Sequence, residues 1–136
     1  MTTTLWLRIA SVVSLLFAAG HTLGGRKLWS PMGETAVLKA MRDVRFEVMG
    51  VSRSYLDFYL GFGYSLSVSM VLQAVLLWQL AGLARTEPAR LRPAIAAFVL
   101  ASVAGAVLSW TFIIPIPAAF SLVVTACLVV AFLLAR

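Results

Sequence analysis

The chain alternates between long apolar stretches and short polar connections. Four stretches hold about 20 or more mostly apolar residues, the length that a helix needs to cross a hydrocarbon core of ~30 Å. They are residues 5–25, 55–84, 92–113 and 116–135. The second is the longest and must tilt or protrude if it crosses a bilayer. The pattern predicts an all-α integral membrane protein, a single domain in which four transmembrane helices form an up-down bundle.

The connection between the first two spans predicts a further, amphipathic helix over residues 31–49. Apolar residues recur through it at helical spacing: Val37, Met41, Val44 and Val48. The pair Ser30-Pro31 is typical of a helix start, and Gly50 of a helix stop. We expect this helix to lie along the membrane surface or to cap the bundle. A plain connecting helix without a ligand role remains the alternative.

Composition supports a membrane protein over a soluble one. Hydrophobic residues make up 62% of the chain and charged residues 12%, against about 45–50% and 25% in soluble domains. The net charge of +6 fits basic residues that flank spans and face anionic headgroups. These residues form no continuous run, so no nucleic-acid partner is expected. Cys127 is the single cysteine, which excludes an internal disulfide and a CxxC motif. No metal site and no cofactor are predicted.

The charges of the connections indicate an orientation. Residues 85–93 are basic, with Arg85, Arg90 and Arg92, whereas residues 112–120 carry no charge. Basic loops favour the cytoplasm. Both termini are then expected on the cytoplasmic side of a bacterial inner or plasma membrane. The first loop also carries lysines and arginines, which favour the opposite orientation.

A polar row follows one side of the second span. Its members are four residues apart: Asp57, Gly61, Ser65, Ser69 and Gln73. A carboxylate facing lipid at the bilayer centre costs about 2.5–3.5 kcal/mol on insertion scales. We therefore expect Asp57 to face the bundle or to lie at headgroup level. Antiparallel first and second spans would bring His21 to a similar depth, and we predict that His21 and Asp57 contact each other.

These residues outline a polar pocket that opens toward the outer face of the bundle. His21 and Asp57 are its candidate catalytic residues, because a histidine beside a carboxylate can move a proton. An inert structural pair is the alternative. The candidate ligand-binding residues are Ser14, Arg53, Tyr59, Tyr64, Ser65, Ser69, Gln73 and Trp110. The serines could instead bond their own helix or join two helices.

The segments HTLGG, RSYLDFYLGFG and FIIPIP resemble those of small bacterial four-span membrane proteins. The layout is also similar to the EXPERA-type fold of sterol isomerases and the sigma-2 receptor. That resemblance implies acidic and histidine side chains in a pocket within the bundle. It is an analogy of fold and assigns no residue.

The sequence thus predicts a protein that binds or carries a lipophilic small molecule or lipid in an outward-facing intramembrane pocket, with membrane lipids around it. Two alternatives remain open. One is a membrane enzyme with isomerase-like acid–base chemistry that uses His21 and Asp57. The other is a structural or accessory subunit whose polar row packs against another chain, such as a second copy.

Overall fold

The computed structural model describes residues 2–136, and most of them are helical. The helices are α1 (Thr3–Gly25), α2 (Ala36–Asp43), α3 (Tyr55–Leu83), α4 (Arg92–Phe112) and α5 (Pro115–Leu134), with a 3-10 turn (Pro88–Leu91) before α4. By length and composition, α1, α3, α5 and α4 with its 3-10 turn could each cross a membrane. The four long helices expected from hydropathy are confirmed, and each ends within two residues of its predicted bounds.

The chain falls into two compact units. The first comprises the residues up to Phe17 together with Met70–Arg136, and we call it the bundle unit. The second is Ala18–Ser69, the hairpin unit. Helices α1 and α3 each contribute one end to either unit.

The bundle unit has a core to which α1, α3, α4 and α5 all contribute. Its fully buried large side chains come one from each helix: Leu7, Leu77, Ile95 and Leu128. Alanines pack between them, including Ala10, Ala81 and Ala131, and such small side chains let helices approach closely. Apolar side chains also cover the outside of this unit, for example Leu100 and Leu122.

The hairpin unit contains α2 and a two-stranded antiparallel hairpin. Strands β1 (Arg45–Val48) and β2 (Val51–Ser54) pair so that Val48 lies opposite Val51. Met49 and Gly50 form the turn, with φ of 53° and 78°. Positive φ at both central residues is what a type I′ hairpin turn requires.

The helix predicted over residues 31–49 is therefore wrong at both ends. Its start is a turn in which the Ser30 hydroxyl donates to the Gly33 carbonyl at 2.6 Å. Thr35 is the N-cap of α2 instead, and its hydroxyl accepts from the Leu38 amide at 3.2 Å. Residues 44–49 leave the helix because β1 alternates polar and apolar side chains, the period of a strand. The all-α fold class holds, with one short hairpin added to it, and the membrane-surface position of α2 stays a prediction.

Candidate functional site

Trp29 packs into a socket made by glycines of α1 and α3 in the hairpin unit. A Cβ on Gly24 or Gly25 would lie 3.0 Å from atoms of the Trp29 ring, and one on Gly63 would collide with it. Leu28 and Trp29 reach this position through left-handed backbone, with φ of 52° and 47°. Such angles are uncommon outside glycine and persist where surrounding contacts enforce them. The socket thus fixes how the chain leaves α1.

Three further rings surround Trp29. Its centroid lies 5.0 Å from that of His21, 5.1 Å from Tyr64 and 6.1 Å from Tyr59, the tyrosines in edge-on contact. The Trp29 indole N–H donates to the His21 carbonyl at 2.8 Å. The structure therefore brings together three residues that the sequence assigns to the site, around a tryptophan that it does not.

His21 also contacts α3 through its imidazole. Its Nδ1 lies 3.0 Å from the hydroxyl oxygen of Ser67, a buried residue. That hydroxyl is placed to donate to the Gly63 carbonyl at 3.4 Å. When it does so, His21 Nδ1 must carry the proton, because the serine oxygen is then the acceptor. When the hydroxyl donates to Nδ1 instead, the proton of a neutral His21 lies on Nε2.

Asp57 closes the first turn of α3. Its carboxylate accepts from the Ser54 amide at 2.8 Å, while the Ser54 hydroxyl accepts from the Asp57 amide at 3.1 Å. This reciprocal arrangement is a capping box. A carboxylate there also interacts favourably with the positive end of the helix dipole. Helix capping is therefore the contact that the structure shows for Asp57.

The expected contact between His21 and Asp57 is not formed. His21 lies beside Ser67, ten residues after Asp57, which is about 15 Å along the axis of α3. The prediction assumed that α1 ends level with the start of α3. Instead Gly25, the last residue of α1, lies beside Tyr64, so the first turns of α3 extend past it. An acid and a base that act on one reacting atom must both be within hydrogen-bond reach, and this spacing does not provide it.

A groove of about 250 Å³ opens at the start of α3. Its lining residues are Arg53, Asp57, Phe58, Gly61 and Phe62. Phe58 and Phe62 stand one turn apart, with centroids 5.1 Å apart in edge-on contact. A Cβ on Gly61 would meet nothing within 4 Å, so this glycine keeps the middle of the groove open. The groove joins a charged end to an aromatic floor.

The hairpin supports this aromatic floor. Phe46 of β1 lies 5.1 Å from Tyr55 and 5.9 Å from Phe58, measured between ring centroids. The contacts join the strand pair to the first turn of α3. Phe58 thus contacts both Phe46 and Phe62.

Most of the polar row lies on the exposed side of α3. Asp57, Gly61, Ser65 and Ser69 are all exposed in the hairpin unit, and the Ser69 hydroxyl donates to the Ser65 carbonyl of its own helix at 3.1 Å. This differs from the interior pocket that the sequence predicts. Helix α3 is apolar on all sides, so the spacing of its polar residues does not indicate which side faces inward.

The remaining candidate residues belong to the bundle unit. Ser14 is buried, and the Gln73 amide donates to its hydroxyl at 3.4 Å. That bond joins α1 to α3. Trp110, in the last turn of α4, is 73% exposed. Ser14 and Gln73 therefore have a structural contact, whereas Trp110 has an open face.

Two groups of residues stand out, the one around Trp29 and the one that lines the groove. The sequence does not identify four of their members as site residues: Trp29, Ser67, Phe58 and Phe62. A signal exists for two of them, because Phe58 and Phe62 are an aromatic pair at i and i+4 around Gly61. The role of Trp29 depends on Gly25, at the end of α1, and on Gly63, which lies 38 residues later in the sequence. No local pattern marks such a contact.

Within residues 2–136 no three His, Cys, Asp or Glu side chains are grouped as a metal ion would require. Comparison with protein-family models, with curated proteins and with solved structures gives no match to this chain. Residue chemistry and geometry are therefore what indicates its function.

Proposed function

We propose that the protein is an integral membrane protein that binds a lipid or another lipophilic molecule in the groove at the start of α3. Four helices with enough length and apolar character to span a bilayer support the membrane assignment. Apolar side chains on their outer faces, such as Leu100 and Leu122, support it too. In water, apolar surface of that extent favours association.

The composition of the groove is the observation that carries the binding proposal. Arg53 and Asp57 supply a cation and a carboxylate at one end, where a polar headgroup would be held. Phe58 and Phe62 continue along α3 and are more than half exposed, so they offer apolar contact to a chain or ring system. Ligand sites combine apolar walls with a few orienting polar groups in this way.

The orientation follows from the basic connection before α4. We place both termini in the cytoplasm of a bacterial inner or plasma membrane, since Arg85, Arg90 and Arg92 favour that side. The groove then belongs to the outward-facing half of the bilayer. A single cysteine in place of Met49, in a Cys127→Ala background, should react with membrane-impermeant maleimide added from outside. Labelling only after the membrane has been permeabilised would indicate the opposite orientation.

Gly61 offers a sharp test of the groove. A leucine at position 61 would occupy part of the groove, and its Cβ has open space. Gly82, also in α3, has equally open space around its Cβ and lies outside the groove. Gly61→Leu and Gly82→Leu thus make the same chemical change at two sites of one helix.

The measurement is native mass spectrometry and lipid extraction on protein purified in mild detergent. We expect wild type and Gly82→Leu to retain a co-purifying lipophilic molecule, and Gly61→Leu to lose it. Phe62→Ala should lower its amount, whereas Arg53→Gln should change which headgroup is retained. Equal retention by Gly61→Leu and Gly82→Leu would contradict the proposal.

One observation favours a second candidate, a subunit that associates with another chain. Gly61, Ser65 and Ser69 form an exposed row of small residues at i, i+4 and i+8, the pattern by which membrane helices pack closely. Ser69 lies outside the groove. If the row is an interface between copies, Ser69→Leu should shift the protein to monomer in light scattering while lipid retention stays unchanged.

A further inference from the structure

Arg8 is an arginine near the start of α1, within an otherwise apolar helix. Its guanidinium carbon stands over the Trp78 ring of α3, 5.0 Å from the ring centroid. Its Nε is buried and has no hydrogen-bond partner among residues 2–136. The protein thus covers Nε, and the two terminal nitrogens of the guanidinium are the donors that an anion could reach.

Among the described residues of the bundle unit, no acidic side chain pairs with Arg8. Glu87 is the acidic residue of that unit's sequence, against five arginines. The carboxylate of Glu87 pairs with Arg90 at 2.8 Å. Arg92 donates to the Ala135 carbonyl at 3.1 Å and stacks on a phenylalanine, so it caps the end of α5. An arginine in a membrane span is normally paired, so an anion from outside these side chains would complete the surroundings of Arg8.

The depth of Arg8 narrows the choice of anion. It lies five residues after Thr3, the first residue of α1, and Trp78 lies five residues before Leu83, the last of α3. Each is thus about 7.5 Å inside its helix end. In a helix that spans a bilayer, this is the level at which hydrocarbon meets headgroups and where tryptophan is favoured.

We propose that Arg8 and Trp78 form a site for the phosphodiester of an anionic phospholipid. A guanidinium presents paired N–H donors in one plane, which suits two oxygens of a phosphate. The indole under that plane orients it by a cation–π contact. The site rests on the proposed membrane insertion and is separate from the groove of α3. With the termini in the cytoplasm it faces the leaflet that is richer in anionic lipid.

The test compares how substitution of two different arginines changes the thermal stability of the protein in lipid nanodiscs. Wild type, Arg8→Gln and Arg85→Gln are placed in discs of phosphatidylcholine with rising fractions of phosphatidylglycerol, and thermal unfolding is followed. Arg85 is exposed and belongs to the same unit, so both variants lose one positive charge. We expect Arg85→Gln to keep the stabilisation by phosphatidylglycerol. For the same rise in unfolding temperature, Arg8→Gln should need a phosphatidylglycerol fraction that is about tenfold higher.

Further variants keep the outcome decisive. Arg8→Lys retains the charge and is expected to fold, yet it should lose most of the response because it lacks the planar donor pair. An equal loss in Arg8→Gln and Arg85→Gln would overturn the site in favour of general attraction to anionic surfaces. The same stabilisation by inorganic phosphate in phosphatidylcholine discs would overturn its assignment to a lipid. Arg8→Gln is also compared with Arg85→Gln in a Gly61→Leu background. If the difference between them persists there, the Arg8 site does not depend on the groove, so failure of the groove proposal can be told apart.

Discussion

The indole ring of Trp29 lies against the α-carbon of Gly63, in space that a Cβ at position 63 would need. The same ring touches Gly24 and Gly25 at the end of α1. One side chain from the connecting segment thus determines how closely the two helices approach in the hairpin unit.

Replacing Gly63 by alanine should destabilise the protein. The added methyl group collides with the Trp29 ring, and overpacking of this kind costs about 1–3 kcal/mol. Gly61→Ala is the matched control, two residues away in the same helix, where a Cβ meets nothing within 4 Å. Thermal unfolding in detergent, read by circular dichroism, should separate the two variants. Equal midpoints would show that Trp29 does not occupy the socket.

His21 and Ser67 should be energetically coupled, and His21 and Asp57 should not. The imidazole contacts the Ser67 hydroxyl, so a double-mutant cycle of His21→Ala and Ser67→Ala should give a coupling of about 0.5–1.5 kcal/mol. The cycle with Asp57→Asn should be additive, because distant sites act independently. Coupling in the second cycle alone would restore the pair that the sequence predicts.

The capping box of α3 should contribute locally to stability. Ser54→Ala removes the hydroxyl that accepts from the Asp57 amide and should cost about 0.5–2 kcal/mol. Ser54→Asp keeps an acceptor at this position and should recover most of the loss. Hydrogen exchange should show faster exchange of the first amides of α3 in Ser54→Ala. Unchanged exchange there would argue against the cap.

Cys127 should be unreactive toward water-soluble maleimide in intact membranes. It is 5% exposed and lies in the core of the bundle unit. A cysteine at position 49 is the positive control, since Met49 is 97% exposed at the hairpin turn. In a Cys127→Ala background, Met49→Cys should label rapidly from the side on which the hairpin lies. Rapid labelling of Cys127 without detergent would place α5 along an aqueous path.

Hydropathy predicts the long helices well because a span of about 20 apolar residues is a strong, local signal. The hairpin is harder to predict. Gly50 serves equally as a helix stop or as the second residue of a type I′ turn. The strand period of Arg45–Val48 covers only four residues, and the apolar spacing of Val44 and Val48 fits a helix as well. The contact of Phe46 with Tyr55 and Phe58 favours the strand over the helix, and the sequence does not show that contact.

The sequence does not predict how the candidate residues are arranged. The sequence identifies His21, Arg53, Asp57, Tyr59 and Tyr64 as residues of interest, and the structure places them in two clusters of one unit. Their division depends on the register between α1 and α3. That register is set by the Trp29 socket, which joins residues far apart in sequence, and hydropathy carries no information about it.

The two units also differ in when their contacts could first form during synthesis. Every residue of the Trp29 socket lies between Ala18 and Ser69, so this helix pairing needs none of the chain that follows. The core around Leu7 includes Leu128 and Ala131 and stays open until α5 has been made. If synthesis pauses after α3, the contacts between α1 and α3 in the hairpin unit can already be formed. The apolar face around Leu7 in the bundle unit is then still uncovered. That face stays exposed until α5 has been made and completes the core.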